Sequence, residues 1–380
     1  MGGKRKIIRA ATVPTSLETF LDGAFEALMG RYDLVLLSSP GAELDRLGER
    51  HGVRTVAVAM ERHMAPLKDL VALLRLIVVF VRERPRMVHS MTPKAGLLCM
   101  LAAWIARVPL RVHTFTGLVW PTATGLTRHI LMLTDWLTCA CATHVVPEGR
   151  GVMHDLQQHI TRKQMRVLGH GNVRGVDMKH WSRRPEVESL AAAKRVAGVF
   201  TFVFVGRIVG DKGINELVEA FQALWNRRKD VRLVLVGRTE AELDPVSDAT
   251  RDAIDACLAI MAVGEQGGDD LVSWYAAADC FVFPSYREGF PNTVLEAGAM
   301  GLPSIVTDIN GSREIVTDGK NGRVIPPRNS AALLAAMERM VADDAARERM
   351  AANARPMIES RFEHGAVLRN LLAFYDEIGV

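Results

Sequence analysis

The strongest local signal in this chain of 380 residues is a pair of glutamates with seven residues between them. Glu288 and Glu296 sit in the stretch FPSYREGFPNTVLEAG (283–298). Pro291 fits the first turn of a helix that would carry Glu296. The amides after Gly289 would then lie at a positive helix terminus, which favours an anion such as a phosphate. Each carboxylate could grip hydroxyls of a polyhydroxylated ligand while the amides hold its anion. A capped surface helix with two solvated acids fits the same spacing. A second stretch, FVGRIVGDKGIN (204–215), places Arg207 and Lys212 on one loop after an apolar strand, with Gly206 allowing close backbone approach. Two cations at the carboxyl end of a parallel strand suit a diphosphate. Standing alone, they would read as a solvated basic turn.

These groups need elements to hold them. In the first part, strand patterns at Lys6–Thr12, Tyr32–Ser38, Arg54–Val58, Met87–Ser90, Arg111–Thr114 and His144–Pro147 alternate with helical patterns. The helical patterns cover about 17–31, 66–83, 94–107 and 126–139. A glycine-dotted break at 168–181 follows, and the alternation restarts at Phe200–Val205 and Arg232–Val236. Further on come a helix near 246–261, Leu271–Ala277, strand Cys280–Pro284, helix 291–300, strand Ser304–Thr307 and closing helices at about 330–342, 343–360 and 364–378. Strands alternating with helices predict parallel α/β sheets, whose ligands bind at the carboxyl ends of the strands. The length fits two such domains, and two domains facing across a cleft would suit an enzyme with two substrates.

Composition narrows the class. Apolar residues make up 49% and charged residues 24%, which excludes a disordered, collagenous or disulfide-scaffold chain. The net charge of +4 hides a split: residues 1–180 carry 24 Lys and Arg against 14 Asp and Glu, and 181–380 carry 23 against 29. Five scattered cysteines read as buried thiols of a reducing compartment. Cys139 and Cys141 lack a second pair at ligand spacing, and Asp269-Asp270 and Asp343-Asp344 are not an Asp-x-Asp clamp, so no metal is expected. The basic N-terminus lacks an apolar run of signal-peptide length, and the apolar stretches at 69–81 and 95–108 are too short to span a bilayer. The expected location is cytoplasmic, at most peripheral to the membrane.

Together, the two motif stretches resemble the donor domain of retaining glycosyltransferases of family 4, which have the GT-B fold of two Rossmann-like domains. Glu288 and Glu296 match that family's E-x7-E pair, GRIVGDKG its phosphate loop, and DINGSREIVTDGKNGRVIPP (308–327) its closing segment. HSMTPKAGLL (89–98), HTFTGLVWPT (113–122) and GHGNVRGVD (169–177) resemble a bacterial subgroup acting on lipid-linked oligosaccharide, capsule or O-antigen intermediates. The resemblance implies an acceptor-side domain at 1–180, a nucleotide-sugar domain at 181–360 and a helix at 361–380 packing back toward the first domain. It implies that Arg207 and Lys212 neutralise a donor diphosphate and that Glu288 meets the donor sugar beside Gly206, Gly289 and Phe290. Asn292 and Thr293 would sit near the diphosphate, and Glu296 would hold the ribose. No cofactor is implied.

The chain also departs from the family pattern. Many members have two glycines after the first strand, where this chain has Thr12-Val13-Pro14-Thr15-Ser16; the Ser16 hydroxyl or nearby amides are the replacement. Thr116 stands before Gly117 where many have a histidine, and Met91 replaces a second one. His89 and His113 remain as acceptor-side candidates with Thr15, Ser16, Thr116 and Gly117, although a strand-end histidine is more often structural. The basic first part could attract an anionic membrane surface or an acidic, lipid-linked sugar acceptor. No nucleic-acid-reading motif accompanies it, so nucleic acid is not expected. The segment 62–86 reads either as an interfacial helix or as a sheet-covering helix with a basic edge. A nucleotide-sugar 2-epimerase and a non-catalytic nucleotide-sugar-binding scaffold remain as alternatives to a transferase using a UDP-sugar.

Overall fold

The computed structural model describes residues 3–61, 63–240 and 244–380; Arg62, at the start of the proposed interfacial segment, lies outside them. The chain divides into two units, Met1–Gly175 with His364–Val380, and Val176–Glu363. The sequence reading puts the crossings at 180 and 360. They fall elsewhere because the Val176 N–H donates to the Phe362 carbonyl at 2.8 Å, which ties 176–180 and 361–363 together within the second unit.

The first unit has six parallel strands, β1 (Lys6–Ala10), β2 (Asp33–Ser38), β3 (Arg54–Ala57), β4 (Met87–Ser90), β5 (Leu110–Phe115) and β6 (His144–Pro147), in the order β3-β2-β1-β4-β5-β6. The second has β7 (Phe200–Val205), β8 (Val231–Val236), β9 (Ile260–Gly264), β10 (Cys280–Phe283), β11 (Ser304–Thr307) and β12 (Gly322–Ile325), in the order β12-β11-β10-β7-β8-β9. Read from its own first strand, each sheet runs outward in one direction and then the other. The strand order therefore reverses between β1 and β4 and between β7 and β10. At such a switch the loops leave on opposite faces of the sheet and open a crevice for ligands.

The central strands form where the sequence is almost continuously apolar, broken only by Thr201 and Arg232, which hydrogen-bond each other at 2.8 Å. FTFVFV and VRLVLV pair in register over their full length and are buried on both faces, as parallel strands between helix layers must be. The first sheet is covered on one face by helices Pro66–Glu83, Pro93–Ile105 and Gly125–Cys141. On the other it is covered by Pro14–Leu21, Phe25–Arg31, Ala42–His51 and the last helix, His364–Glu377. That last helix is fastened by Tyr375, whose hydroxyl accepts from Arg9 Nη1 at 2.8 Å and shares a 2.6 Å hydrogen bond with His89 Nδ1.

Two expectations need correction. The helix predicted over 17–31 is two helices, because Pro14 starts the first at its N1 position and Gly23, at φ +67°, breaks the chain before Phe25. The helix predicted near 246–261 ends at Ala256, and β9 follows. Ser247 caps that helix by accepting from the Thr250 N–H, and Cys257 turns extended. Helices Arg150–His159 and Pro185–Lys194 and strand β12 have no counterpart in the sequence reading.

Candidate functional site

The site residues of the second unit gather at its switch point. After β7 the chain passes Gly206 and Arg207, makes a 3-10 turn over Gly210–Lys212, and enters helix Ile214–Arg227 through Gly213. After β10 the loop Pro284–Phe290 leads through Pro291 into helix Asn292–Ala299. The two loops touch at a point where only glycine fits: a Cβ on Gly213 would lie 2.1 Å from the Pro284 carbonyl oxygen. The loop after β11 closes on the same place, since a Cβ on Gly311 would lie 2.4 Å from the Gly289 carbonyl oxygen.

Lys212 and Glu288 meet as an ion pair between these loops, each side chain about one-seventh exposed. Ser285 Oγ donates to the same Glu288 Oε1 at 2.9 Å, so the carboxylate is aimed by two donors from two loops. Lys212 Nζ also stands 5.7 Å over the Phe283 ring, a cation–π contact. Arg207 Nη1 donates to Glu240 at 2.8 Å. Burial lowers the pKa of this guanidinium, but the carboxylates of Glu240, Asp211 and Glu288 outweigh it and hold the group above its ordinary value. Its charge is therefore fixed at every accessible pH. Glu296 is buried on helix Asn292–Ala299, where the Tyr275 hydroxyl donates to its Oε2 at 3.3 Å. Asn292 and Thr293 occupy the first turn of that helix, half-buried, and Phe290 is buried against Phe362. The first turn of any helix leaves backbone N–H groups without intrahelical acceptors, so this terminus combines amide donors with a cation pair nearby.

The loops are braced from behind. Arg287 pairs with Asp211 at 3.1 Å, and the Tyr286 hydroxyl meets both carboxylate oxygens of Glu216 at 2.6 Å. The sequence reading misses Tyr275, Ser285, Asp211 and Glu240. Ser285 and Asp211 lie inside the two quoted stretches and are legible there; Tyr275 and Glu240 contact the site only through tertiary packing.

The first-unit candidates separate into two groups. Thr15 and Ser16 lie in the first turn of helix Pro14–Leu21, exposed and half-buried respectively. Thr116 and Gly117 follow β5, both half-buried, and Thr116 Oγ1 donates to the Met91 carbonyl at 3.0 Å. His89 and His113 are instead inside the unit, each 1% exposed. His89 Nε2 is hydrogen-bonded to Thr114 Oγ1 at 2.7 Å, and His113 Nδ1 to Ser90 Oγ at 2.8 Å. Burial pushes the His113 imidazole down to about 3 and His89 well below its usual range, so both stay neutral. At the switch point of this unit, Thr12 and Thr92 join the loops through a 2.7 Å hydroxyl contact. Among the described residues no cluster of three His, Cys, Asp or Glu could hold a metal ion, and no helix is long and apolar enough to cross a membrane.

Two six-stranded parallel sheets with an ionic site at one switch point fit a sugar-transferring enzyme, and comparison with known proteins agrees. Residues 17–171 match the model of the glycosyl transferase 4-like domain, and residues 189–357 that of glycosyl transferases group 1. The chain is a glycosyltransferase of the GT-B fold. It is 28% identical over 375 residues to the capsular polysaccharide biosynthesis glycosyltransferase CapM of Staphylococcus aureus, covering 98% of this chain and 97% of that one. It is 27% identical over 315 residues to the Escherichia coli UDP-Gal:alpha-D-GlcNAc-diphosphoundecaprenol alpha-1,3-galactosyltransferase, covering 79% and 78%. The crystal structure of Anabaena HepE in complex with UDP and glucose superposes with a TM-score of 0.81 at 19% identity, covering 98% of this chain and 100% of that one.

Proposed function

We propose that this glycosyltransferase moves a hexose or N-acetylhexosamine from a UDP-sugar to a polyprenyl-diphosphate-linked sugar, with retention at the anomeric carbon and without a metal. One observation carries the reading: Lys212, Arg207 and Glu288 lie on the two loops that leave the β7/β10 switch point, beside the first turn of the helix that carries Glu296. Two cations and a helix N-terminus can neutralise the charge that develops on a departing diphosphate, the task a metal clamp performs elsewhere. Glu288, held by Lys212 and Ser285, is positioned to accept from sugar hydroxyls; Glu296, held by Tyr275, does the same for the ribose. Gly206, Gly289, Phe290, Asn292 and Thr293 complete the donor pocket through backbone and helix-terminus donors. Thr15, Ser16, Thr116 and Gly117 are the acceptor-side groups in this reading, with His89 and His113 shaping the sheet beneath them.

The E. coli relative acts, by its name, on a diphosphoundecaprenol-linked sugar, and the HepE structure holds UDP and glucose. These support the acceptor and donor classes proposed, as does the excess of cations over acids in residues 1–180. The enzyme would then work at the cytoplasmic face of the membrane. Saturation-transfer screening of a nucleotide-sugar panel, followed by mass spectrometry with lipid-linked acceptors, tests the reading. A new glycolipid that forms in the presence of EDTA supports it. Conversion of the donor to another nucleotide sugar without acceptor would mark an epimerase instead.

A further inference from the structure

Helix Pro66–Glu83 is apolar on two opposite faces. Ala72, Leu76 and Phe80 recur every fourth residue and are buried against the first sheet. Leu67, Leu70, Leu74, Val78 and Val81, spaced by three and four, form one outward stripe, exposed from 48% at Val78 to 83% at Leu67. A sheet-covering helix needs only the first set. The second leaves a continuous row of apolar side chains in water, unlike the single exposed hydrophobes that any surface carries.

The neighbouring helices widen this stripe. Pro93–Ile105 packs beside Pro66–Glu83, and Gly125–Cys141 packs beside Pro93–Ile105. The middle helix exposes Trp104 and Ile105 at its end, and the third exposes Leu126, Leu133 and Trp136. Every exposed formal charge on the three helices is positive: Arg75, Arg82, Arg128 and Lys68, the last paired at 2.6 Å with Glu61 just ahead of the first helix. Their acids turn inward, Asp69 to Lys94 and Glu83 to Arg54 and Lys6, while Asp135 is mostly buried. At one end of the stripe, Val81 borders a cleft of about 510 Å³ lined by Arg5, Arg84, Arg86 and Arg107. Arg84 and Arg107 hold left-handed backbone, φ +46° and +56°, at helix ends where glycine is the usual occupant.

We propose that this three-helix face is the surface by which the protein lies on an anionic phospholipid bilayer, with the stripe at the headgroup–acyl boundary and the arginine cleft over lipid phosphates. An apolar stripe edged by tryptophan and cations is the pattern of an interfacial helix. A two-fold dimer through the same face would set its cationic rim against a copy of itself, whereas anionic lipid complements it. The inference deepens the proposed lipid-linked acceptor and rests on that reading for its purpose.

The test is flotation of the full chain with vesicles of phosphatidylglycerol and phosphatidylethanolamine, against vesicles of phosphatidylcholine alone. The protein floats with the anionic vesicles and stays below with the neutral ones. Arg82→Ala and Arg84→Ala each weaken anionic binding by about fivefold at low salt. Leu74→Glu combined with Val78→Glu weakens it by at least about tenfold. Both sets keep the thermal shift that UDP gives the parent chain, which shows that they fold. Equal flotation with neutral vesicles, or unchanged binding of the double glutamate variant, overturns the proposal. So does a vesicle-free dimer that the same two glutamates dissolve, because a second copy would then own the face. Failure of the acceptor reading shows separately, as intact vesicle binding with no transfer to any lipid-linked sugar.

Discussion

The two units share a strand order and differ in what they place where that order reverses. Between β7 and β10 the loops present Lys212, Arg207 and Glu288 as paired, partly exposed ions. Between β1 and β4 the loops meet through two threonine hydroxyls, and the nearby histidines are neutral and buried. The scaffold thus fixes a location and leaves the chemistry to loop residues. Ionic groups stay responsive when they reach solvent, as in the second unit. Inside the first sheet, the same capacity for hydrogen bonding is consumed in holding the strands and the last helix together.

The sharpest way to break this contrast is Glu288→Gln. It keeps the shape and removes the charge that Lys212 and Ser285 hold in place. Turnover should fall by about 10²–10³, the range for losing one preorganised electrostatic group in a transition state. UDP affinity measured by calorimetry should change far less, because the diphosphate contacts remain. A variant that turns over within tenfold of the parent would remove Glu288 from the chemistry.

A smaller effect tests the first unit. His113 stays neutral in the folded chain down to about pH 3, while in the unfolded chain it protonates near its ordinary value of 6.5. The unfolded state therefore binds more protons between those limits, and stability falls as the pH is lowered through that window, by about 1.4 kcal/mol per unit. His89 acts in the same direction. Asp135, raised to about 7 by burial, acts in the opposite direction. The difference between parent and His113→Gln isolates one histidine. By pH 5 the parent should have lost about 2 kcal/mol more than the variant, read from denaturant midpoints. Parallel curves would mean that His113 is protonated in the folded state and open to a catalytic role.

Tyr375→Phe should cost about 1–3 kcal/mol of stability, because it leaves the buried Arg9 and His89 without their shared hydroxyl. Met91 Sδ would remain as an acceptor for Arg9 at 2.8 Å. Transfer rates should stay within about twofold. A larger drop in rate would make His89 an acceptor-side group rather than a structural one.

These contrasts were unequally visible in the sequence. Strands β7 and β8 announce themselves because parallel strands between helices are apolar along nearly their whole length. β9 does not, since its pattern at an exposed sheet edge leaves Met261 and Ala262 in water. Arg207, Lys212, Glu288 and Glu296 are readable because each motif is a short local segment whose loop geometry is set by nearby glycine and proline. Their partners are not: Glu240 reaches Arg207 and Tyr275 reaches Glu296 across folded distance, where no spacing rule applies. The histidines mislead in the other direction, because residue type suggests chemistry while burial, which sequence spacing does not report, removes it.

Tyr275 offers the finest test of how the ionic unit is built. Its hydroxyl donates to Glu296 Oε2 at 3.3 Å and to the Thr293 carbonyl at 3.4 Å, both long for such bonds. Its ring is buried and packs edge-on against Trp181, so Phe can fill the same space. Tyr275→Phe should therefore leave the fold intact and remove one donor to Glu296 together with the longer contact to the Thr293 carbonyl. The expected loss is about 1 kcal/mol, or about fivefold in affinity for UDP. If Glu296 holds the ribose, which does not change during transfer, the loss appears in KM with kcat nearly unchanged. A fall in kcat at constant KM would instead place Glu296 among the groups that act in the transition state. The donor site would then extend from the Lys212–Glu288 pair into the interior of helix Asn292–Ala299.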